Sequence, residues 1–306
     1  MLKKIIPSEI MKKPLLILRE KDILDVLKKH WLGNHENLSR PEEFVEDFFD
    51  FLKKESMQHE VSEKKIKKFY NRKLAEYWDK DLYLQKPKDM FLEIMENELQ
   101  DARTILDFGC GKLAFLKEIA KNNKDIEDLV GVDALSQPVL DGLDPRIRFR
   151  RSLEEVENSS IDLAVVKLVM HHLNNVHEAA DVFDNLAMIL KPGGKLVIFE
   201  ESFPDEKYKI SETEKYLAKF KMEMSETTAD FLQLSREDKV EFLFLNDWLM
   251  NLQNVYMPWT GMYGSMEEWK RLAESSGLKE KEEHFLGAIK HRKRKQGMTA
   301  MLVFEK

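Results

Sequence analysis

The stretch Thr104–Leu116 narrows the folds open to this chain more than any other part of it. Its centre reads Ile105-Leu106-Asp107-Phe108-Gly109-Cys110-Gly111-Lys112-Leu113. A short apolar run ends at an acid and breaks into Gly-x-Gly, after which apolar residues return at helical spacing. This is the pattern of a buried strand turning sharply into a helix. The glycines stand where a ligand must approach backbone that side chains would otherwise shield. Alone the motif is ambiguous, because Gly109-x-Gly111-x-x-Ala114 also satisfies the loose dinucleotide fingerprint.

The residues that follow reduce the ambiguity. Asp128–Asp133 reads as a second buried strand ending in an acid, 22 residues after Gly111. A carboxylate at that tip can accept two hydrogen bonds from ribose hydroxyls. Ile161–Lys167 is a fourth-strand candidate, and a helical pattern over His171–Leu190 follows it. Lys191-Pro192-Gly193-Gly194 is helix-stop chemistry, and Lys195–Phe199 is another apolar strand. A nicotinamide-dependent dehydrogenase fits less well. Its fingerprint places the acid only after the glycine turn and needs a pyrophosphate site at the helix N-terminus; Asp107 stands before Gly109.

Taken in order, these motifs resemble the class I S-adenosylmethionine-dependent methyltransferases, over roughly Met90–Lys306. The resemblance implies an α/β fold with a doubly wound, mostly parallel seven-stranded sheet, and S-adenosyl-L-methionine as cofactor. It also implies roles. Asp107 would orient the loop and the amino-acid end of the cofactor, with Gly109, Cys110 and Gly111 passing beneath methionine and ribose. Asp133 would hold the ribose hydroxyls, Ala134 and Leu135 would flank adenine, and Ser152 and Leu153 stand where the adenine edge is met. Lys167 would reach the cofactor or an anionic acceptor from its strand end. The segment Phe69–Trp78 is similar to the helix that small-molecule methyltransferases lay over the cofactor, which makes Tyr70 a further candidate contact. His171-His172-Leu173 and Leu190–Leu196 are also features of the small-molecule branch. Two positions depart from the pattern: Leu113 replaces the usual third glycine, and Ser152 replaces the Asp that often reads the adenine amino group.

In a doubly wound sheet, ligands occupy the crevice beyond the carboxyl ends of the strands. Methyl transfer from a sulfonium requires nucleophile, carbon and sulfur in line, and a hydroxyl or ammonium acceptor also needs a base. His171 and His172 are the candidates for that base. Glu200 and Glu201 end the fifth strand on opposite faces, so at most one points into the crevice; Glu200 is the candidate to hold an acceptor amine or hydroxyl.

Beyond Glu201 the strand–helix alternation stops. Residues 202–264 form a helix-rich insertion, where this family commonly builds a substrate lid. Ser235–Asn251 opens with a Ser235-to-Asp238 cap and is apolar nearly all round, with Asp247 beside Leu243 and Phe244. Asp247, Trp248, Trp259 and Tyr263 are the candidate acceptor-binding residues. A capping box runs from Ser265 to Glu268, and Glu283–Ile289 and Thr299–Phe304 close the chain as strands. The expected organisation is a helical region, 1–88, followed by a methyltransferase domain, 89–306, with 202–264 as its inserted lid. Within 1–88, Asp22–Trp31, Pro41–Lys54 and Ser62–Trp78 carry helical periodicity.

Composition decides the remaining points. The net charge of −7 argues against wholesale attraction to nucleic acid, and one cysteine excludes an intramolecular disulfide. No run approaches the roughly 20 apolar residues of a membrane span, so a cytoplasmic protein without a membrane partner is expected. No Cys/His cluster has metal-ligand spacing, and no metal is expected. The expected acceptor is a small molecule, methylated at O or N. The alternatives are an RNA or protein acceptor docked through the basic run Lys290–Lys295, and a non-catalytic S-adenosylmethionine-binding partner protein.

Overall fold

Strands that are buried in succession, rather than alternately, belong to a sheet covered on both faces. Leu163, Ala164, Val165 and Val166 show this, each at most 1% exposed. The structure, a computed structural model, describes residues 21–35, 38–57, 63–77, 90–135, 138–205, 208–251, 262–291, 294–295 and 297–306. Its strands are β1 (Thr104–Phe108), β2 (Asp128–Val132), β3 (Ile147–Arg150), β4 (Ile161–Lys167), β5 (Leu190–Glu201), β6 (Glu223–Met224), β7 (Lys279–Gly287), β8 (Ile289–His291), β9 (Arg294–Lys295) and β10 (Thr299–Glu305).

Seven of them form one sheet in the order β3-β2-β1-β4-β5-β10-β7. The first five run parallel, and β10 is antiparallel to β5. The order reverses between β1 and β4, which makes their carboxyl ends the switch point where such sheets hold ligands. Asp107 lies level with Gly131 on one side and Val165 on the other.

The chain divides into two compact units. One takes the described residues of Lys88–Lys221, Met262–Leu286 and Thr299–Lys306, and carries the sheet. The other takes those of Met1–Pro87, Met222–Gly261 and Gly287–Met298. In this second unit the helix Lys21–Asn34 packs on Pro41–Ser56 and also on Thr227–Gln233 and Arg236–Met250. Its core is aromatic: Trp31 stacks on Phe48 at 5.3 Å, and His30 meets Phe242 edge-on at 5.8 Å. Pro41 opens its helix with Glu42 and Glu43 in the first turn, the arrangement that a helix N-terminus favours. β6, β8 and β9 form a small antiparallel sheet here.

Two local expectations are revised. The helical pattern of His171–Leu190 is split: Met170–His172 is a single 3-10 turn, and the α-helix is Val176–Ile189. Asn175 causes the break, its side chain accepting from the His177 and Glu178 N–H groups as an N-cap. The helix does end ahead of Lys191-Pro192-Gly193-Gly194, but the strand expected over Lys195–Phe199 begins earlier and includes that segment. The segment lies inside β5, whose register against β4 shifts between Ile161 and Leu163. The C-terminus stabilises this bulge, since Gly193 N–H donates to the Lys306 carbonyl and Lys306 N–H to the Gly194 carbonyl.

Candidate active site

The glycine loop leaves β1 while still paired to β2: the N–H groups of Gly109 and Cys110 both donate to the Val132 carbonyl, at 2.8 and 3.2 Å. Gly109 has φ +75, and a Cβ there would lie 2.3 Å from Val169 Cγ2. Gly111 has φ +51, and nothing lies within 4 Å of where its Cβ would be. One glycine is therefore required by a neighbouring side chain, while the other leaves open space above bare backbone. Leu113 also adopts the left-handed conformation, φ 62, at the start of the helix Ala114–Asn122. Gly131 accommodates it, since a Cβ at Gly131 would meet Leu113 Cδ2 at 2.4 Å. The sequence departure at Leu113 is thus absorbed by the neighbouring strand.

Asp133 sits at the tip of β2 with both carboxylate oxygens engaged. Oδ2 accepts from Gly111 N–H at 2.9 Å and Oδ1 from Leu135 N–H at 2.8 Å. The side chain is half-buried beside the open face of Gly111. Ribose hydroxyls fit this arrangement. Asp107 is buried in β1. Burial first, then the charges of Asp107 and Asp133, push the Cys110 thiol up, leaving it a neutral packing group.

On the other side of the switch point, β4 ends in a tight turn. Leu168 has φ +56, a conformation costly for a side chain with a Cβ. The turn hangs on Glu200, 1% exposed. Its Oε2 accepts from Val169 N–H at 3.0 Å and Met170 N–H at 2.7 Å, and its Oε1 pairs with His171 Nδ1 and Glu201 N–H. Burial pushes the Glu200 carboxyl upward, yet the His171 charge and hydrogen bond, followed by Glu201 N–H, bring it below its ordinary value. Tyr263 stacks on His171 at 5.2 Å between ring centres, and His172 lies against it at 3.9 Å.

The remaining candidates are placed as follows. Ser152 caps the short turn Leu153–Glu155 by accepting from Glu154 N–H, with Leu153 buried behind it. The Lys167 ammonium lies over the Phe115 ring at 4.5 Å and the Phe91 ring at 5.6 Å. Ala134 and Leu135 are exposed. Tyr70 packs edge-on to Phe48, Phe44 and Trp31 within the helical unit. Asp247 and Trp248 are buried on Arg236–Met250, and Asp247 accepts from Asn251 Nδ2 at 2.6 Å. Trp259, Arg292 and Lys293 lie outside the described residues. Leu168 and Val169 fall within Lys167–His172, a strand end that the sequence marks for inspection without giving either residue a role. The one available signal was their place directly after a strand end.

A family profile described as "Methyltransferase domain" matches residues 58–279, well over half of the chain. Among solved structures, the N-methyltransferase NodS from Bradyrhizobium japonicum is 15% identical, covering 71% of this chain and 94% of its own, with TM-score 0.42. An S-adenosylmethionine-dependent methyltransferase from Mesorhizobium loti is 17% identical over 71% of this chain and 96% of its own, TM-score 0.45. One from Methanosarcina mazei is 16% identical over 70% and 96%, TM-score 0.41. No curated protein sequence matches the chain. At such distances no acceptor is carried over. No helix among the described residues is long and apolar enough to cross a membrane. The profile match over most of the chain shows the family: this is a methyltransferase-domain protein, a class I enzyme whose methyl donor is S-adenosylmethionine.

Proposed function

We propose that this enzyme methylates a small molecule at oxygen or nitrogen, with His171 as the group that takes the acceptor's proton. The observation that carries the reading is the burial of His171, 3% exposed, at the carboxyl end of the sheet. An acceptor atom that meets this ring has to enter a place that solvent scarcely reaches, which favours a compact molecule over a polymer. The net charge of −7 points the same way.

When bound, S-adenosylmethionine supplies an activated methyl on a sulfonium, so the protein's task is alignment, desolvation and proton management. Asp133 and the open backbone at Gly111 suit the ribose, and Asp107 sets the loop that carries them. With Nδ1–H directed at Glu200, the neutral ring of His171 has Nε2 as its basic nitrogen, the one that would take a hydroxyl or ammonium proton. Tyr263, stacked on His171, restrains the ring and offers an aromatic wall to the acceptor. The cytoplasmic setting and the lid role of 202–264 belong to the same reading.

Incubation of the purified enzyme with methyl-labelled S-adenosylmethionine and fractionated extract tests it. Label in small metabolites is expected. Label in RNA or protein would overturn the reading and turn attention to Lys290–Lys295.

A further inference from the structure

Three features of the sheet unit converge on one side chain. The first is the turn Lys167–His172, where Leu168 is held left-handed at φ +56 while its N–H donates to the Phe199 carbonyl. That geometry aims two successive N–H groups, Val169 and Met170, at a single oxygen of Glu200. The second is the ring of His171, whose Nδ1 is engaged by the other oxygen. The third is Val169 itself, whose side chain fills the space over Gly109 so closely that no Cβ could stand there. A buried carboxylate persists only when donors surround it. Here the donors are the backbone of the turn, the N–H of Glu201 and the imidazole. Removing the charge would therefore loosen the turn and the ring together.

We infer that Glu200 is a positioning residue: its buried carboxylate holds His171 in the tautomer protonated on Nδ1 and clamps the Lys167–His172 turn so that Val169 bears on the cofactor loop at Gly109. Glu200 touches neither methyl donor nor acceptor. It acts through two intermediaries, one on each side of the reaction: the imidazole toward the acceptor and the Val169–Gly109 contact toward the cofactor. The expectation that Glu200 holds an acceptor amine or hydroxyl is replaced by this assignment. The catalytic meaning of the tautomer rests on the proposed role of His171, whereas the clamp on the loop does not.

The test uses the full chain labelled with 15N-histidine, and S-adenosylhomocysteine as the binding probe. Long-range nitrogen–proton spectra recorded above the ordinary imidazole titration range report which ring nitrogen carries hydrogen. In the unmodified protein His171 is expected to carry it on Nδ1. A proton on Nε2 overturns the inference without any variant being made. In Glu200→Gln, whose amide cannot accept from every donor around it, the Nδ1–H signal should give way to a tautomer mixture. The same variant should weaken S-adenosylhomocysteine binding by about tenfold. Val169→Ala should weaken the probe while leaving the tautomer as it was, which separates the clamp from the imidazole. A folded Glu200→Gln with unchanged tautomer and unchanged affinity refutes the assignment. Label appearing in RNA or protein in the extract experiment would overturn the small-molecule reading and leave these spectra standing.

Discussion

Replacing Asp133 with alanine removes two backbone hydrogen bonds from the free protein and, on the ribose assignment, two more from the complex. The free protein loses the acceptors for Gly111 N–H, 2.9 Å, and Leu135 N–H, 2.8 Å. Water can take over both, since Asp133 is half-buried and Leu135 exposed, so the fold should lose no more than about 1–2 kcal/mol. If Asp133 holds the ribose, the complex would lose those hydrogen bonds, and charge-assisted bonds contribute about 1.5–3 kcal/mol each. Even if half of the smaller estimate for the pair is returned by solvent, about 1.5 kcal/mol remains, a little over tenfold in affinity. The loop adds to this, because Gly111 N–H no longer has a carboxylate to hold its open face toward the ligand. Titration calorimetry with S-adenosylhomocysteine, on a variant shown to be folded by its melting curve, measures the effect. Asp133→Asn is the companion: its amide turns an N–H₂ toward either Gly111 N–H or Leu135 N–H, so it should behave closer to alanine than to aspartate. Affinity within about twofold of the parent for a folded Asp133→Ala would remove the ribose assignment.

Gly109→Ala should cost about 1–3 kcal/mol through overpacking, since the new methyl meets Val169 Cγ2 at 2.3 Å in a backbone of φ +75; adding Val169→Ala should recover part of it, and a thermal-melt double-mutant cycle without coupling would refute the contact. Leu113→Gly relieves left-handed strain of about 1–2 kcal/mol yet deletes a fully buried side chain that contributes about 2–5 kcal/mol, so its melting temperature should fall, and a rise would show that strain dominates. Asp162 predicts a pH dependence. Burial pushes its carboxyl up, but Lys191, Thr104 and Arg103 N–H together bring it below the ordinary value. Its stabilisation is therefore complete above the unfolded carboxylate value near ~3.9 and is lost as pH falls through the lower folded value. Asp162→Asn should flatten that acid limb of the stability curve, and an unchanged limb in denaturant titrations would contradict the pairing. Neutralising Arg292, Lys293 and Arg294 together should leave methylation of a small uncharged acceptor nearly untouched, because an uncharged acceptor gains nothing from electrostatic steering, which salt screens over roughly 8 Å; a large loss that added salt reproduces in the parent would favour a nucleic-acid acceptor.

What was readable in the sequence was local. The strand before Gly109, the acid at Asp133, the cap at Ser235 and the capping box at Ser265 each depend on neighbours a few residues away, and each is present. What was hidden depends on residues far apart in the chain. Alternation along β5 allowed at most one of Glu200 and Glu201 to point into the crevice and did not show that both are buried; the donors that account for Glu200 come mostly from the end of β4. The Lys-Pro-Gly-Gly segment carries helix-stop signals and the helix ends before it, but its own place within a strand depends on pairing with β4 and with Lys306, far off in the chain. Leu113 looked like an intrusion until Gly131 supplied the missing space. The pairing of the N-terminal helices with residues 222–250 leaves no mark on either segment beyond apolar periodicity.

That pairing imposes a waiting time during synthesis. The helix Lys21–Asn34 meets Pro41–Ser56 almost as soon as both are made, but its contacts with Thr227–Gln233 and Arg236–Met250 join residues about as far apart as Lys29 and Asp230, 201 positions along the chain. At about 5–20 residues per second, roughly 10–40 s pass before the later helices leave the ribosome. The nascent helices carry uncovered apolar surface throughout that interval, and loop closure over such a span is slow besides. Chaperone occupancy of the nascent chain should therefore peak early and persist until Met250 has emerged, and fragments ending before residue 227 should be recovered as aggregates.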